Sequence, residues 1–508
     1  MSDTMTVNNF ERDLDYNNHT GIMTNNYINI DYRYGGTNDD LLNDLDTLGK
    51  FTEHHISYQA PRLRILSDYY QGKTFNVKKR STRRADKQMA DNRAAHDYAA
   101  YVADFINGYF LGNPIDYVVE DETAKEYIES FNDLNDIVSH NRSIGLDLSI
   151  YGRAYEYMIR NDKDQVRIYK TDAESTFVIY DDTLEKNSIA AVRYYPASSI
   201  DVEWSEGELV YNVEVVTDGM TYYFTATSTN NYKPKQRKEP AAHAFNKVTI
   251  TEYRANEFRI GDYEKVISLI DLMDSAQSDT ANYMSDLNDA LLLLIGNFEL
   301  PTNAAELQKT ARIMKLEPPT YETDDNRTTE GHVEGDYIYK KYDVAGAEAY
   351  KNRLNNSIHM FTNTPDMSDE NFGGNTSGES AKYKLMFLEQ RAIIKEGLFA
   401  KGLRRRYNLL ESIAKTNSEL DQSVNLKEMK YKFKRNLPKS MIDELTAYIN
   451  AGGQISQETL MMLFSFIPDV TLEMERIQEE QQEKQKALEN SRPDIYAQVG
   501  ADNAQEEQ

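Results

Sequence analysis

A long helical pattern in the middle of the chain constrains its fold more than any other feature. In "GDYEKVISLIDLMDSAQSDTANYMSDLNDALLLL", Val266, Ile270, Met273, Met284, Leu287 and Leu291 recur at helical steps, and only Gln277 and Thr280 interrupt the stripe. A helix over 262–290 would be about 43 Å long. So narrow a stripe on so polar a helix covers little core, which calls for packing on another long helix or on a neighbouring subunit. The candidate partner lies close in sequence: "AGAEAYKNRLNNSIHMFTN", 345–363, reads as a second helix. Between the two, 291–342 holds a strand at "LLLLIGNFEL", a helix at "NAAELQKTARIMKLE", an acidic loop and a strand at "GDYIYKKYD". Two helices flanking a small αβ unit form a stalk with a knob at its end.

The segments before the stalk differ in character. The first forty or so residues are rich in Asn, Asp and Thr and read as an arm that needs a partner to become ordered. From about 40 to 112 the pattern is helical, with Tyr98, Val102, Phe105 and Tyr109 in one stripe and Gly112 and Pro114 as the stop. Between about 150 and 260 the period changes to two. "RAYEYMIRNDKDQVRIYK" reads as two strands around a polar turn, and "YNVEVVTDGMTYYFTAT" as a hairpin with Asp218-Gly219 at its tip. These strands are expected to form one antiparallel sheet packed on helices. "NYKPKQRKEP", 231–240, reads as an exposed loop.

Charge and composition exclude whole classes of function. The net charge is -26, so most surfaces repel nucleic acid unless basic residues are locally concentrated. There are no cysteines, hence no disulfides, thiolate zinc sites or thiol catalysis. The most apolar run, "ALLLLIGNF", is far shorter than the roughly 20 residues of a spanning helix, so no membrane is expected, and no secretory signal is visible at the N-terminus. The eight histidines show no HExxH and no paired metal spacing. No G-x-S-x-G is present. The chain is therefore expected to be no enzyme and to carry neither cofactor nor metal.

"FGGNTSGES", 372–380, has the glycine spacing of a P-loop, with Ser380 where a magnesium-binding hydroxyl would sit. Glu379 occupies the place of the phosphate-gripping lysine, and the lead-in "NTPDMSDENFGG" is polar and acidic rather than a buried strand, which argues against a nucleotide site. Thr376 and Glu379 have capping-box spacing and can simply start the helix that follows. The length of the loop and its single aromatic, Phe372, are left unexplained by capping, and long loops between packed elements are often functional.

"TPDMSDENFGGNTSGESAKYKLMFLEQRA" resembles the loop-and-helix region of bacteriophage portal proteins, of the type found in tailed phages of Gram-positive bacteria. "VTITEYRANEFRIGDYEKVISLIDLMDSAQSDTAN" is similar to the strand leading into that family's long stem helix. "RLRILSDYYQGK" with "GYFLGNPIDY", and "ISQETLMMLFSFIPDVTLEMERIQEE" near the C-terminus, agree in order, so the resemblance runs from about 50 to 480. Members often have a Gly and Pro near "NKVTITEY", and this chain has neither.

The resemblance implies an α+β portal fold: a flexible N-terminal arm (1–40), a wing of antiparallel sheet plus helices (41–261), a stem helix (262–290), a small αβ clip (291–342), a second stem helix (345–363), a tunnel loop (364–378), a wing helix and return (379–435), a helical crown (436–490) and a disordered tail (491–508). It implies a homo-oligomer, a dodecameric ring at one capsid vertex, through whose channel double-stranded DNA is packaged and later ejected. Implied partners are the terminase large subunit, a head-completion adaptor, and the major capsid and scaffolding proteins. The setting is the virion, with the host cytoplasm during assembly.

On that reading Asp366, Met367, Glu370, Asn371, Phe372, Gly373, Gly374 and Asn375 form the loop nearest the DNA, and an acidic channel wall lets the duplex slide where a basic one would hold it. Lys309, Arg312 and Lys315 on the clip helix are the docking candidates, with an ordinary charged helix face as the alternative. "KTFNVKKRSTRRADK", 73–87, fits an intersubunit contact better than a nucleic-acid motif. "RRRY", 404–407, reads as the solvated end of a long helix. A scaffold or adaptor protein without a DNA channel is the rival interpretation.

Overall fold

The computed structural model of the chain describes residues 28–78, 90–197, 210–286, 343–367, 385–422 and 424–436, four short strands between 291 and 338, position 461, and a helix at 470–490. The chain divides into two compact units, Met1–Asn436 and Leu437–Gln508. The fold is α+β.

The first helices follow from their caps. Thr37 Oγ1 accepts from the Asp40 amide and Asp40 Oδ2 from the Thr37 amide, a reciprocal box that starts α1 (Asn38–Asn43). Asp44 then caps α2 (Leu45–His54), which continues through one π-turn into α3 (Ala60–Tyr70). In α4 (Tyr98–Leu111) the expected stripe is present and wider than expected, since Ala99, Ala103 and Ile106 are buried beside Val102 and Tyr109. Next come β2 (Asp116–Val118), α5 (Glu122–Leu134) and α6 (Ile137–Tyr151). Gly152 ends α6 at φ +75, where an added Cβ would also strike the Arg259 carbonyl.

The strands form two main sheets where the sequence suggests one. β3 (Arg153–Arg160) and β4 (Val166–Thr171) make the expected hairpin, but β3 pairs on its other side with β10 (Ile250–Arg254), giving a three-stranded sheet ordered β10-β3-β4. β5 (Thr176–Tyr180), β6 (Ser188–Pro196), β7 (Val210–Val216) and β8 (Met220–Thr227) belong to a second sheet, with the β7–β8 turn at Asp218-Gly219 as expected. Two further corrections concern its edges. Lys235–Ala242, read as loop, is edge strand β9; its Lys, Arg and Pro side chains and a register shift against β8 blunt an open edge. Tyr32–Arg33, inside the expected N-terminal arm, is β1, parallel to β5, with Ile28 and Tyr32 buried. Residues 28–40 therefore dock on the sheet, and 1–27 lie outside the described residues.

α7 (Ile267–Asp286) follows a 3-10 turn at Glu264–Val266, so the regular helix is shorter than the sequence pattern suggests. The pattern overruns because Leu291–Gly296 pairs as strand β11 with β14 (Val333–Ile338), beside a smaller pair of β12 (Thr320–Glu322) and β13 (Thr328–Glu330). α8 (Val344–Thr362) packs against α7. α9 (Met386–Thr416) lies along β10, and β15 (Lys430–Lys432) pairs with β2. In the second unit α10 (Val470–Asn490) is described.

"RRRY" lies inside α9 and is solvated only in part: Arg404 is exposed, but the next positions turn inward. Arg406 and Tyr407 are fully buried, and Arg406 donates to Glu156 from Nε (2.9 Å) and Nη2 (2.5 Å) while Nη1 reaches Asn141. Helix α9 is covered on that face by β3 and β10, a long-range pairing that no local pattern shows.

Candidate channel face

α7 and α8 form a helix hairpin. Val266, Ile267, Ile270 and Met273 supply the apolar side of α7, and α8 answers with Leu354, Ile358 and Thr362. Asp343 caps α8 by accepting from the Gly346 amide at 2.9 Å. At its far end Asn363 takes the left-handed conformation, with its amide on the His359 and Met360 carbonyls. These three are the only fully buried positions of a 19-residue helix. Met360 and Phe361 are 62% and 55% exposed, so the outer face carries apolar surface that a lone chain leaves in water.

The base of the hairpin is pinned from α9. Arg391 Nη1 donates to the Thr362 carbonyl at 2.7 Å, at the end of α8, and faces Asp262, just before α7. One turn on, buried Lys395 forms an ion pair with Asp262 and donates to Ser149 Oγ at 3.0 Å. Burial lowers the pKa of the Lys395 ammonium, and the Asp262 carboxylate opposes that shift. Two neighbouring α9 residues thus hold both ends of the hairpin base to the body.

The segment after α8 starts on the same scaffold. Tyr101 OH donates to the Pro365 carbonyl at 2.7 Å, and Asn355 Nδ2 to Asp366 at 2.9 Å, while Tyr98 OH holds the other side of the Asn355 amide at 2.8 Å. Asp366, expected near DNA, is therefore tied back to α8, whereas Met367 is 52% exposed. His96, Tyr98, Tyr101, His359, Asp366 and Met367 line a cleft of about 480 Å³ there. Glu370, Asn371, Phe372, Gly373, Gly374 and Asn375 lie outside the described residues, as do Thr376 and Glu379 and the docking candidates Lys309, Arg312 and Lys315. Sequence reasoning missed Asn355, His359, Arg391 and Lys395. Their only local signal is a polar residue on a helix, which solvent exposure explains equally well.

The charge on the hairpin is uneven. α8 carries Glu348 against Lys351 and Arg353, whereas the acids of α7 include Asp271 and Asp274, both buried. Asp271 accepts from Tyr69 OH at 2.5 Å and Asp274 pairs with His96 at 2.7 Å. The acidity of the chain is thus partly spent on internal bonds. Among the described residues no cluster of three or more His, Asp or Glu is placed to hold a metal, and no helix is long and apolar enough to cross a membrane.

A helix hairpin that brackets a strand-rich insert is thus pinned to a two-sheet body. The family "Phage portal protein, SPP1 Gp6-like" matches residues 49–487, and the chain belongs to it. It is 23% identical over 409 residues to the portal protein of Bacillus phage SPP1, covering 78% of this chain and 77% of that one. It is also 22% identical over 396 residues to the portal protein of Clostridium phage phiCD119, covering 75% of this chain and 83% of that one. Phage portal proteins are virion components.

Proposed function

We propose that this chain assembles as a ring, a dodecamer, at one capsid vertex, and that its channel passes double-stranded DNA inward under a terminase motor and outward at ejection. The single observation that carries the reading is the pinned hairpin, in a chain whose family match spans it and the residues that follow. In this account 262–290 and 345–363 are the stem, 291–342 the clip that meets the terminase large subunit and later the head-completion adaptor, and 364–378 the tunnel loop. The body and α9 are the wing, and 436–490 the crown; the major capsid and scaffolding proteins are further partners of the ring. The chain performs no catalysis of its own; the motor supplies the work.

Physical chemistry supports the division of labour. A ring needs two different, complementary faces per subunit, and the apolar outer face of α8 is unsuited to water. A channel in a chain of net charge -26 gains little from counterion release, so DNA slides instead of sticking. Glu370, Asn371, Phe372 and Asn375 then restrain the duplex as loop contacts. Deleting 368–376 tests this: ring assembly should persist while DNA packaging or retention falls. Normal yields of full, infectious particles from the deletion would remove the loop from the mechanism.

A further inference from the structure

Residues 90–96 run without regular secondary structure along α7 and lead into α4. Their backbone amides bond to side chains of the helix in a fixed rhythm. Asn92 N donates to Asn282 Oδ1 (2.6 Å), Ala94 N to Ser278 Oγ (2.9 Å) and His96 N to Asp274 Oδ1 (2.9 Å). Every second residue of the strap thus meets every fourth residue of the helix, in the opposite direction. The pitches agree, because two extended residues span about 6.7 Å and four helical residues about 6 Å. Further bonds brace the rungs: His96 Nδ1 meets the same Asp274 oxygen, Asn76 Nδ2 bridges the Ala94 carbonyl and Ser278, and Asn92 Nδ2 reaches Ser285.

The two sides of α7 are therefore held by different forces. Toward α8 and the body it buries Ile267, Ile270 and Met273, contacts that water cannot replace. Toward the strap it buries Asp274, Ser278 and Asn282, whose acceptors water satisfies nearly as well as the strap does. The strap itself is only partly covered and has no large apolar side chain to anchor it. Among the described residues Asp274 Oδ2 is buried without a hydrogen-bond partner, which makes the closed state costlier than a fully bonded one.

We propose that residues 90–97 are a releasable latch on α7: closed, the strap clamps the outer half of the helix from a second side; open, that half is held by α8 and by Asn76 on Ser278 while the body stays folded. The mechanism lies within one chain and does not depend on the ring.

Amide hydrogen exchange on the full-length protein tests it. Ala94→Pro removes the central N–H in a segment that is already extended. Exchange over 276–286 should rise about tenfold while β3, β7 and β8 keep their protection. The chain has no cysteine, so Ala94→Cys with Ser278→Cys offers one unambiguous crosslink, and the oxidised form should exchange more slowly than the wild type over the same residues. Equal exchange in Ala94→Pro and the wild type, or a rise shared by the sheets and α7 alike, would overturn the latch, as would a crosslink that forms but leaves exchange over 276–286 unchanged.

Discussion

In the body, charge is buried deep and in pairs that cross the sequence: Arg406 with Glu156 and Arg62 with Glu264. In the hairpin, by contrast, α8 buries three side chains in nineteen residues and leaves Met360 and Phe361 in water. The body contains the partners of its own costly groups, so one chain suffices to specify it. The hairpin leaves the outer face of α8 uncovered. That difference is what an assembling subunit requires: a self-sufficient body that presents an unfinished face.

The contrast breaks most visibly at the deepest pair. Arg406→Ala leaves Glu156 charged and buried with His140 and Tyr253 as its remaining partners, and should cost about 3 to 5 kcal/mol in denaturant unfolding of the body. Replacing both, as Arg406→Met with Glu156→Gln, should recover much of that loss. A loss under about 1 kcal/mol for Arg406→Ala would mean that the body is not held by its buried charge.

The same pair sets an acid limit. Burial alone would push Glu156 up, but Arg406 and His140 outweigh it and hold the carboxyl down at about 2. Its folded value lies below its unfolded one, so this stabilisation is complete above the ordinary carboxylate range and is lost as pH falls from there towards 2. The integrated effect is about 3 kcal/mol, and Glu156→Gln should flatten that part of the stability curve.

In the hairpin the largest single-chain effect is apolar. Ile358→Ala should cost about 2 to 3 kcal/mol and appear as faster exchange in α7 and α8, with the body sheets unaffected. In the body, Asp147→Asn on α6 gives the contrast a pH-dependent test. Burial raises Asp147 to about 6 in spite of Lys170, so its stabilisation is present below the ordinary aspartate range and is lost as pH rises through 6. The asparagine variant should gain nothing below about pH 4 and about 3 kcal/mol relative to the wild type above pH 6. A pH-independent effect would place the cause in packing.

What the sequence made legible was local. The α4 stripe of Val102 and Tyr109, the Asp218-Gly219 turn and the hairpin with its insert are all set by neighbours within a few residues. What it hid were long-range pairings. Arg406 reads as surface because its partner is 250 residues away, and β10 reads as part of one sheet because its pairing with β3 closes around six intervening strands. Asp274, Ser278 and Asn282 look like the wet side of a helix, and they are buried because an extended strap, which has no periodic signature, lies over them. Of the candidate site, the pairing of the two hairpin helices was readable, whereas the pins at Arg391 and Lys395 were not.

The most direct test of the ring is the native mass of the purified protein, read together with end-on electron-microscope averages of the same sample. The account predicts a closed ring of about a dozen subunits around a hole wider than the roughly 20 Å of duplex DNA, with α8 covered. A folded monomer or dimer that stays so when the capsid and scaffolding proteins are added would contradict it, and the adaptor reading would then take its place.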